Sequence, residues 1–257
     1  MFMAPFNTHF LVAEKIWPDL PGPWQPYYGQ FCFGCIVPDV DKLSPTLAQR
    51  DTHFFDRFGD YELMASHRSA AFLEHQAEFW GRPFAQLSPE AQAFALGFLC
   101  HLCVDEVSKH LWRRETWLQF RHIGPGPAFA ALDELARRRI RNYPAIVAAF
   151  GSLHIVEVIP AIPRSELEAF WQGAYCFVSA PDLEGEYLAL VDMFDQPTPE
   201  ERRQKLESFR AGIAEARRLV DHLQLDTLVS ASLARSHSRL TDLIAGHRPE
   251  PGYPDLE

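Results

Sequence analysis

Apolar residues recur at three- and four-residue spacing along most of the chain, and that spacing predicts one helix after another. Ser88, Pro89 and Glu90 form an N-cap with proline at the first helical position, so a helix is predicted from there to about Arg114. Thr198, Pro199 and Glu201 repeat the device with a capping box, and helical spacing continues to about Leu225. Ser165 with Glu168 marks a third start, and further helices are predicted over residues 8–17, 59–80, about 128–150 and 226–245. Strand signals are few. The run LHIVEVIPAI, residues 153–162, is β-branched, but its prolines make it a short extended piece or a distorted helix. Long loops are expected at 18–35 and 36–57, and loops of that length inside a compact helical domain are usually functional. The pattern predicts an all-α, multi-helix bundle, with residues 1–246 as one helical domain and 247–257 as a flexible tail.

Composition narrows the class. A chain of 257 residues, 47% apolar and 13% aromatic, can bury a sizeable core. A net charge of −10, with no block of Lys and Arg to offset it, argues against passive binding to nucleic acid or an anionic membrane. The start, MFMAPFNTHFLVAEK, lacks the basic and apolar regions of a secretory leader, and no 18-residue apolar run occurs, so a soluble, cytoplasmic protein is expected. Five cysteines, an odd number, argue against a disulfide framework.

The chemistry concentrates in GFLCHLCVDEVSKHLW, residues 97–112. His101 and Asp105 are four apart, so on a helix they project side by side among apolar residues. Gly97, one turn earlier, leaves room for a close neighbour. A buried carboxylate is costly unless paired or metal-bound. A lone H-x-x-x-D is more often a histidine satisfied by an aspartate than a metal site, so partners are needed. NTHF supplies His9, GCIVPDVDK supplies Asp39 and RDTHFFD supplies His53. Three imidazoles and two carboxylates suit zinc and tolerate manganese or iron. A rival reading joins Cys32-x-x-Cys35 to Cys100-x-x-Cys103 as a four-thiolate site, but the second pair lies mid-helix and buried cysteine is a common apolar filler. His67 and His75 sit among Ser, Arg and Glu on an expected solvated face, and His154, with Glu157 three residues on as a rival ligand pair, reads as a partly buried, hydrogen-bonded histidine.

The order N-T-H, G-C-I-V-P-D, T-H-F and H-L-x-x-D resembles the zinc-dependent phospholipase C family over roughly residues 5–115. That family shares its fold with the zinc-dependent single-strand nucleases. The resemblance implies an all-α fold with zinc at the bottom of a cleft. It assigns one zinc to Asp39, His53, His101 and Asp105, with Asp105 bridging toward a second ion that His9 also binds. Asp39 would be the general base toward the attacking water, and the zinc charge would draw an anionic ester to an acidic protein.

Two positions depart from the family. Its mature N-terminal tryptophan has no counterpart in Met1-Phe2-Met3, so the ion at His9 is expected to be weak, differently completed or absent. A further zinc needs an H-x-x-x-E that residues 115–145 lack. His110 follows His101 by nine residues but points the opposite way on an ideal helix, and His122 with Asp133 or Glu134 has the wrong spacing to substitute directly. One to three ions are therefore implied.

The implied activity is hydrolysis of a phosphate ester by metal-activated water, on a small phosphate ester or a phospholipid, with nucleic acid only as a substrate. Tyr27, Tyr28, Phe31, Phe33, Phe54 and Phe55 either line the cleft or are core. The rival class is a non-catalytic helical protein with a structural metal and a protein partner. An HD-type phosphohydrolase is disfavoured because the chain has no His-Asp dipeptide.

Overall fold

The computed structural model describes residues 5–45, 47–54, 68–111, 120, 122–155, 159–160 and 162–247. Among them are eleven α-helices and no strand. The first five are α1 (Phe6–Ile16), α2 (Tyr28–Gly34), α3 (Gln49–His53), α4 (Arg68–Phe79) and α5 (Pro89–Leu111). Then follow α6 (Pro125–Arg139), α7 (Tyr143–Gly151), α8 (Arg164–Val178), α9 (Leu183–Phe194), α10 (Pro199–Leu219) and α11 (Leu225–Ala245). Short 3₁₀ turns include Gly22–Tyr27 and Val37–Lys42.

The long helix α5 is the axis of the fold. Its Ser88 hydroxyl accepts the Ala91 N–H at 3.2 Å, as an N-cap should. Residues from Ala93 to Ser108 are buried all round, the condition of a helix at the centre of a bundle rather than on its surface. Its heaviest packing is against α2 on one side and α11 on the other. Two glycines allow the first contact. A Cβ on Gly97 would lie 2.1 Å from the Phe31 carbonyl oxygen, and one on Gly34 would lie 2.2 Å from that of Phe94. The backbones of α2 and α5 therefore touch, and no other residue fits at the crossing.

The capping box at Thr198 forms as expected, with Glu201 N–H on the Thr198 hydroxyl at 3.3 Å and Thr198 N–H on the Glu201 carboxylate at 2.8 Å. Other boundaries differ from the pattern. The expected loop 18–35 contains α2, and 36–57 contains the Val37–Lys42 turn and α3. The expected helix 128–150 is two helices, because Asn142 caps α7 by accepting the Ala145 N–H and Pro144 sits in its first turn. Helix α9 is absent from the elements the pattern predicts, although Asp182 caps it by accepting the Gly185 N–H at 2.8 Å. Of the predicted helix 59–80, residues 59–67 lie outside the described residues, as do the expected tail from 248 onward and Glu157.

Of the two readings of the loop aromatics, core is the one that holds for Phe31, Phe33 and Phe54. Phe31, Phe33 and Phe54 are buried, and Phe54 packs edge-on to Phe72, Phe79 and Phe98. Tyr27 and Tyr28 pack partly buried against the same cluster, and Phe55 lies outside the described residues.

Candidate metal centre

Four elements bring five side chains to one point. His9 sits in α1, Asp39 in the Val37–Lys42 turn, His53 at the end of α3, and His101 and Asp105 on α5. None is more than 1% exposed. Their ligand atoms form two overlapping groups, His9 with His101 and Asp105, and Asp39 with His53 and His101, each with all atoms within 4.8 Å.

The hydrogen bonds fix which ring nitrogens face the centre. His101 Nδ1 lies 2.9 Å from the Cys35 carbonyl, which can only accept, so Nδ1 carries a proton and the neutral ring presents a bare Nε2. The Gly34–Gly97 crossing is what brings that carbonyl within reach. The Thr52 hydroxyl donates to the Gln49 carbonyl at 3.3 Å and so accepts from His53 Nδ1 at 2.8 Å, which leaves His53 Nε2 bare as well. The two bare nitrogens are 3.3 Å apart.

Asp39 Oδ1 lies 3.5 Å from His53 Nε2 and 3.9 Å from His101 Nε2, and Asp105 Oδ2 lies 3.6 and 3.7 Å from the same two atoms. A tetrahedron with bonds of about 2.0–2.1 Å has edges of about 3.3–3.4 Å, so these spacings need only small contraction around a zinc ion. Asp39 Oδ1 accepts no hydrogen bond among the described residues. The donor set, the bare nitrogens and this oxygen all fit a divalent metal. Asp105 Oδ1 turns the other way, 3.7 Å from His9 Nε2, and the His9 ring stacks on His101 at 4.2 Å, 3° from parallel.

Burial pushes the Asp39 carboxyl up, but the Lys42 ammonium, the His53 contact and the His101 ring together bring it well below the usual carboxylate range. Lys42 reaches Asp39 Oδ2 at 3.1 Å because residues three apart eclipse in a 3₁₀ turn. Burial opposes ionisation of Asp105 too, and is outweighed by His101, Arg68, His53 and His9. Burial lowers His53 to about 4, with Arg68 and His101 adding to it against Asp39 and Asp105. His53 is thus neutral and ready to ligate.

Two expected ligands are not gathered. His110 is half-buried in the last turn of α5 and belongs to neither group. His122 is exposed and pairs with Glu215 at 2.8 Å. The substitute ligand set around it does not assemble: Asp133 accepts the Asn7 N–H at 2.6 Å, at the start of α1, while Glu134 binds Arg138 and Arg217. His154 pairs with Glu90 at 2.6 Å. The four central cysteines are buried thiols, with Cys32 pushed up to about 12 by burial, and they form no metal-ligand group among the described residues.

Sequence reasoning missed Lys42, Arg68 and Glu106. Arg68 and Ser69, neighbours of His67 in the helix for which a solvated face is expected at His67 and His75, are buried. Arg68 Nη1 donates to Asp105 Oδ2 at 2.7 Å. No local signal marks this pair, whose members are 37 residues apart.

An all-α fold with a buried cluster of imidazoles and carboxylates defines a helical protein whose residues could hold a metal ion. Residues 8–143, more than half of the chain, match the zinc-dependent phospholipase C family, and the chain belongs to that family. The match reaches well beyond residue 115, where the motifs thin out. No curated protein and no solved structure matches the chain at a significant level. No helix among the described residues is long and apolar enough to cross a membrane.

Proposed function

We propose that the protein is a metal-dependent hydrolase of a phosphate ester, with zinc, or less favourably manganese or iron, held by Asp39, His53, His101 and Asp105. The observation that carries this reading is the meeting of two bare imidazole nitrogens with Asp39 Oδ1, an arrangement that suits a cation and little else. When bound, zinc supplies Lewis acidity and a water nucleophile at neutral pH. The chain's own residues then do the following. His53 and His101 offer Nε2 as the donor atom, because the Nδ1 proton of each is committed elsewhere. Asp39, held ionised by Lys42, orients the attacking water; its depressed basicity makes it a poor proton acceptor. The excess positive charge of the loaded cluster attracts a phosphate group to an otherwise acidic protein. A phospholipid is the substrate class the family suggests, and a small soluble phosphate ester is its competitor.

The near-complete burial of all five side chains favours a second reading, a structural metal in a non-catalytic helical protein that binds a protein partner. One experiment separates the two. Metal content is measured by elemental analysis on protein purified without chelators, beside His101→Ala, and both are assayed on phosphomonoesters, phosphodiesters and phosphatidylcholine vesicles. Metal that falls in the variant together with turnover supports the hydrolase. Metal without turnover on any substrate supports the structural reading, and no metal sinks both.

A further inference from the structure

Between α6, α9 and α10, at the first turn of α7, lies a cavity of about 800 Å³ that shares no residue with the metal centre. That volume is in the range of small-ligand sites. One face of α10 supplies Arg210, Ile213 and Arg217, spaced three and four apart, and one face of α6 supplies Glu134, Arg137 and Arg138. Four guanidiniums in one cavity are unexpected in a chain whose net charge is −10.

Four acids line the same cavity and decide how much of that charge is already paired. Arg210 sets Nε and Nη2 on the Glu184 carboxylate at 2.8 and 2.6 Å, and Arg217 sets the same two nitrogens on Glu134 at 2.6 and 3.1 Å. Arg138 Nη2 also reaches Glu134, at 2.5 Å, while Arg137 pairs with Glu186 and lies 4.3 Å over the Tyr143 ring. Asp182 accepts the Gly185 N–H as the cap of α9. With all four acids ionised the formal charges cancel. Burial raises Glu186 to about 7 in spite of Arg137, and it pushes the neighbouring Asp133 well up too, so near neutrality these side chains leave a positive excess.

Hydrogen bonding is more one-sided than charge. Nη1 of Arg138, Arg210 and Arg217 makes no hydrogen bond among the described residues. The Tyr143 hydroxyl is buried without a partner, and burial raises it, so it keeps its proton to donate. Tyr143 opens α7 and Leu183 opens α9, so the positive ends of two helix dipoles, about half a charge each, meet at the cavity. Donors are what is left over here, and an acceptor-only anion is the ligand that uses them. Guanidiniums that approach from two helices suit the three oxygens of a phosphate group better than the two of a carboxylate. Beside them Phe209 and Ile213 form an apolar wall.

We propose that this cavity binds a small organic phosphate, with its phosphate group on Arg138, Arg210 and Arg217 and its apolar part against Phe209 and Ile213. The site does not rest on the metal reading, since none of the five clustered side chains lines it.

The test is calorimetric titration of the full chain with phenylphosphonate, which joins a tetrahedral anion to an apolar ring and has no ester bond to hydrolyse. It is run before and after chelator treatment, and on Arg210→Gln, Arg217→Gln and Arg203→Gln. One equivalent should bind with an affinity that chelator leaves unchanged. Binding should be about tenfold weaker in each of the first two variants, the scale of one charge-assisted hydrogen bond. It should be unaltered in Arg203→Gln, whose partners Glu200 and Glu207 do not line the cavity. Arg210 and Arg217 are exposed, and exposed ion pairs carry little stability, so these variants should fold. No binding, or binding that both arginine variants leave intact, overturns the site. Binding that chelator abolishes places the anion on a bound metal, which overturns the site and supports the metal reading. Benzoate at equal affinity overturns the choice of phosphate over carboxylate, and inorganic phosphate at equal affinity overturns the apolar contact and leaves free phosphate as the ligand.

Discussion

Two imidazoles that turn bare nitrogens toward each other at 3.3 Å repel unless something positive lies between them, and the neighbouring carboxylates would serve the same cation. Asp105 is the residue on which most depends, since it faces His9 through one oxygen and His53, His101 and Arg68 through the other. Asp105→Asn should lose most of the bound metal. It should also weaken the metal-free fold by about 3–5 kcal/mol, because the buried guanidinium loses its carboxylate. Elemental analysis and urea unfolding read the two effects, and unchanged metal content rejects the ligand role. Cys100→Ala is the companion control and should keep its metal, as the buried thiols form no ligand group among the described residues. At this scale the sequence exposes the residues whose neighbours in the chain are distinctive: the order of His9, Asp39, His53, His101 and Asp105 is legible from the chain alone. Lys42, Arg68 and Glu106 could not. A cation three residues from an aspartate is ordinary, and an arginine beside a serine reads as surface until a distant helix buries it.

The element that positions the cluster is the crossing of α2 and α5. It works by subtraction, since Gly34 and Gly97 remove the side chains that would hold the helices apart. Gly97→Ala must push the Phe31 carbonyl off a 2.1 Å contact, moving α2 and with it the Cys35 carbonyl that orients His101. A loss of about 2–3 kcal/mol is expected from overpacking of this kind, with weaker metal retention beside it. Gly22→Ala, where nothing lies within 4 Å, should change neither. Thermal unfolding with and without added zinc decides the matter, and a Gly97→Ala variant with wild-type metal affinity would show that the crossing supports the fold without setting the ring. Gly97 was legible as a place of close approach, but its partner helix was not. Residues 28–34 read as loop because YGQFCFG carries two glycines and four aromatic or cysteine side chains, a composition with weak intrinsic helix preference. Tertiary burial against α5 overrides that preference, and no local window contains it.

Across the whole molecule, buried acids set how stability responds to pH. Asp133 and Glu186 tie α6 and α9 to Asn7 at the head of α1, two residues before His9. Burial raises both carboxyls, Asp133 with help from Glu186, and Glu186 reaches about 7 despite the nearby Arg137. An unfolded glutamate loses its proton near 4.5 while folded Glu186 keeps it to about 7, so the folded state binds more protons across that interval and stability falls as pH rises through it. His53, lowered to about 4, works the other way over part of the same range, because the unfolded chain protonates it first. A comparison of wild type with Glu186→Gln isolates the glutamate, since glutamine keeps the shape of the protonated acid and does not titrate. In chelator-treated protein, which takes any bound metal out of the balance, the stability advantage of wild type over the variant should be full at and below pH 4.5, narrow to about pH 7 and then stay constant. Urea unfolding at half-unit pH steps reads it directly. A gap that does not change with pH would mean that Glu186 ionises alike in the folded and unfolded chain, and that Arg137 offsets its burial in full.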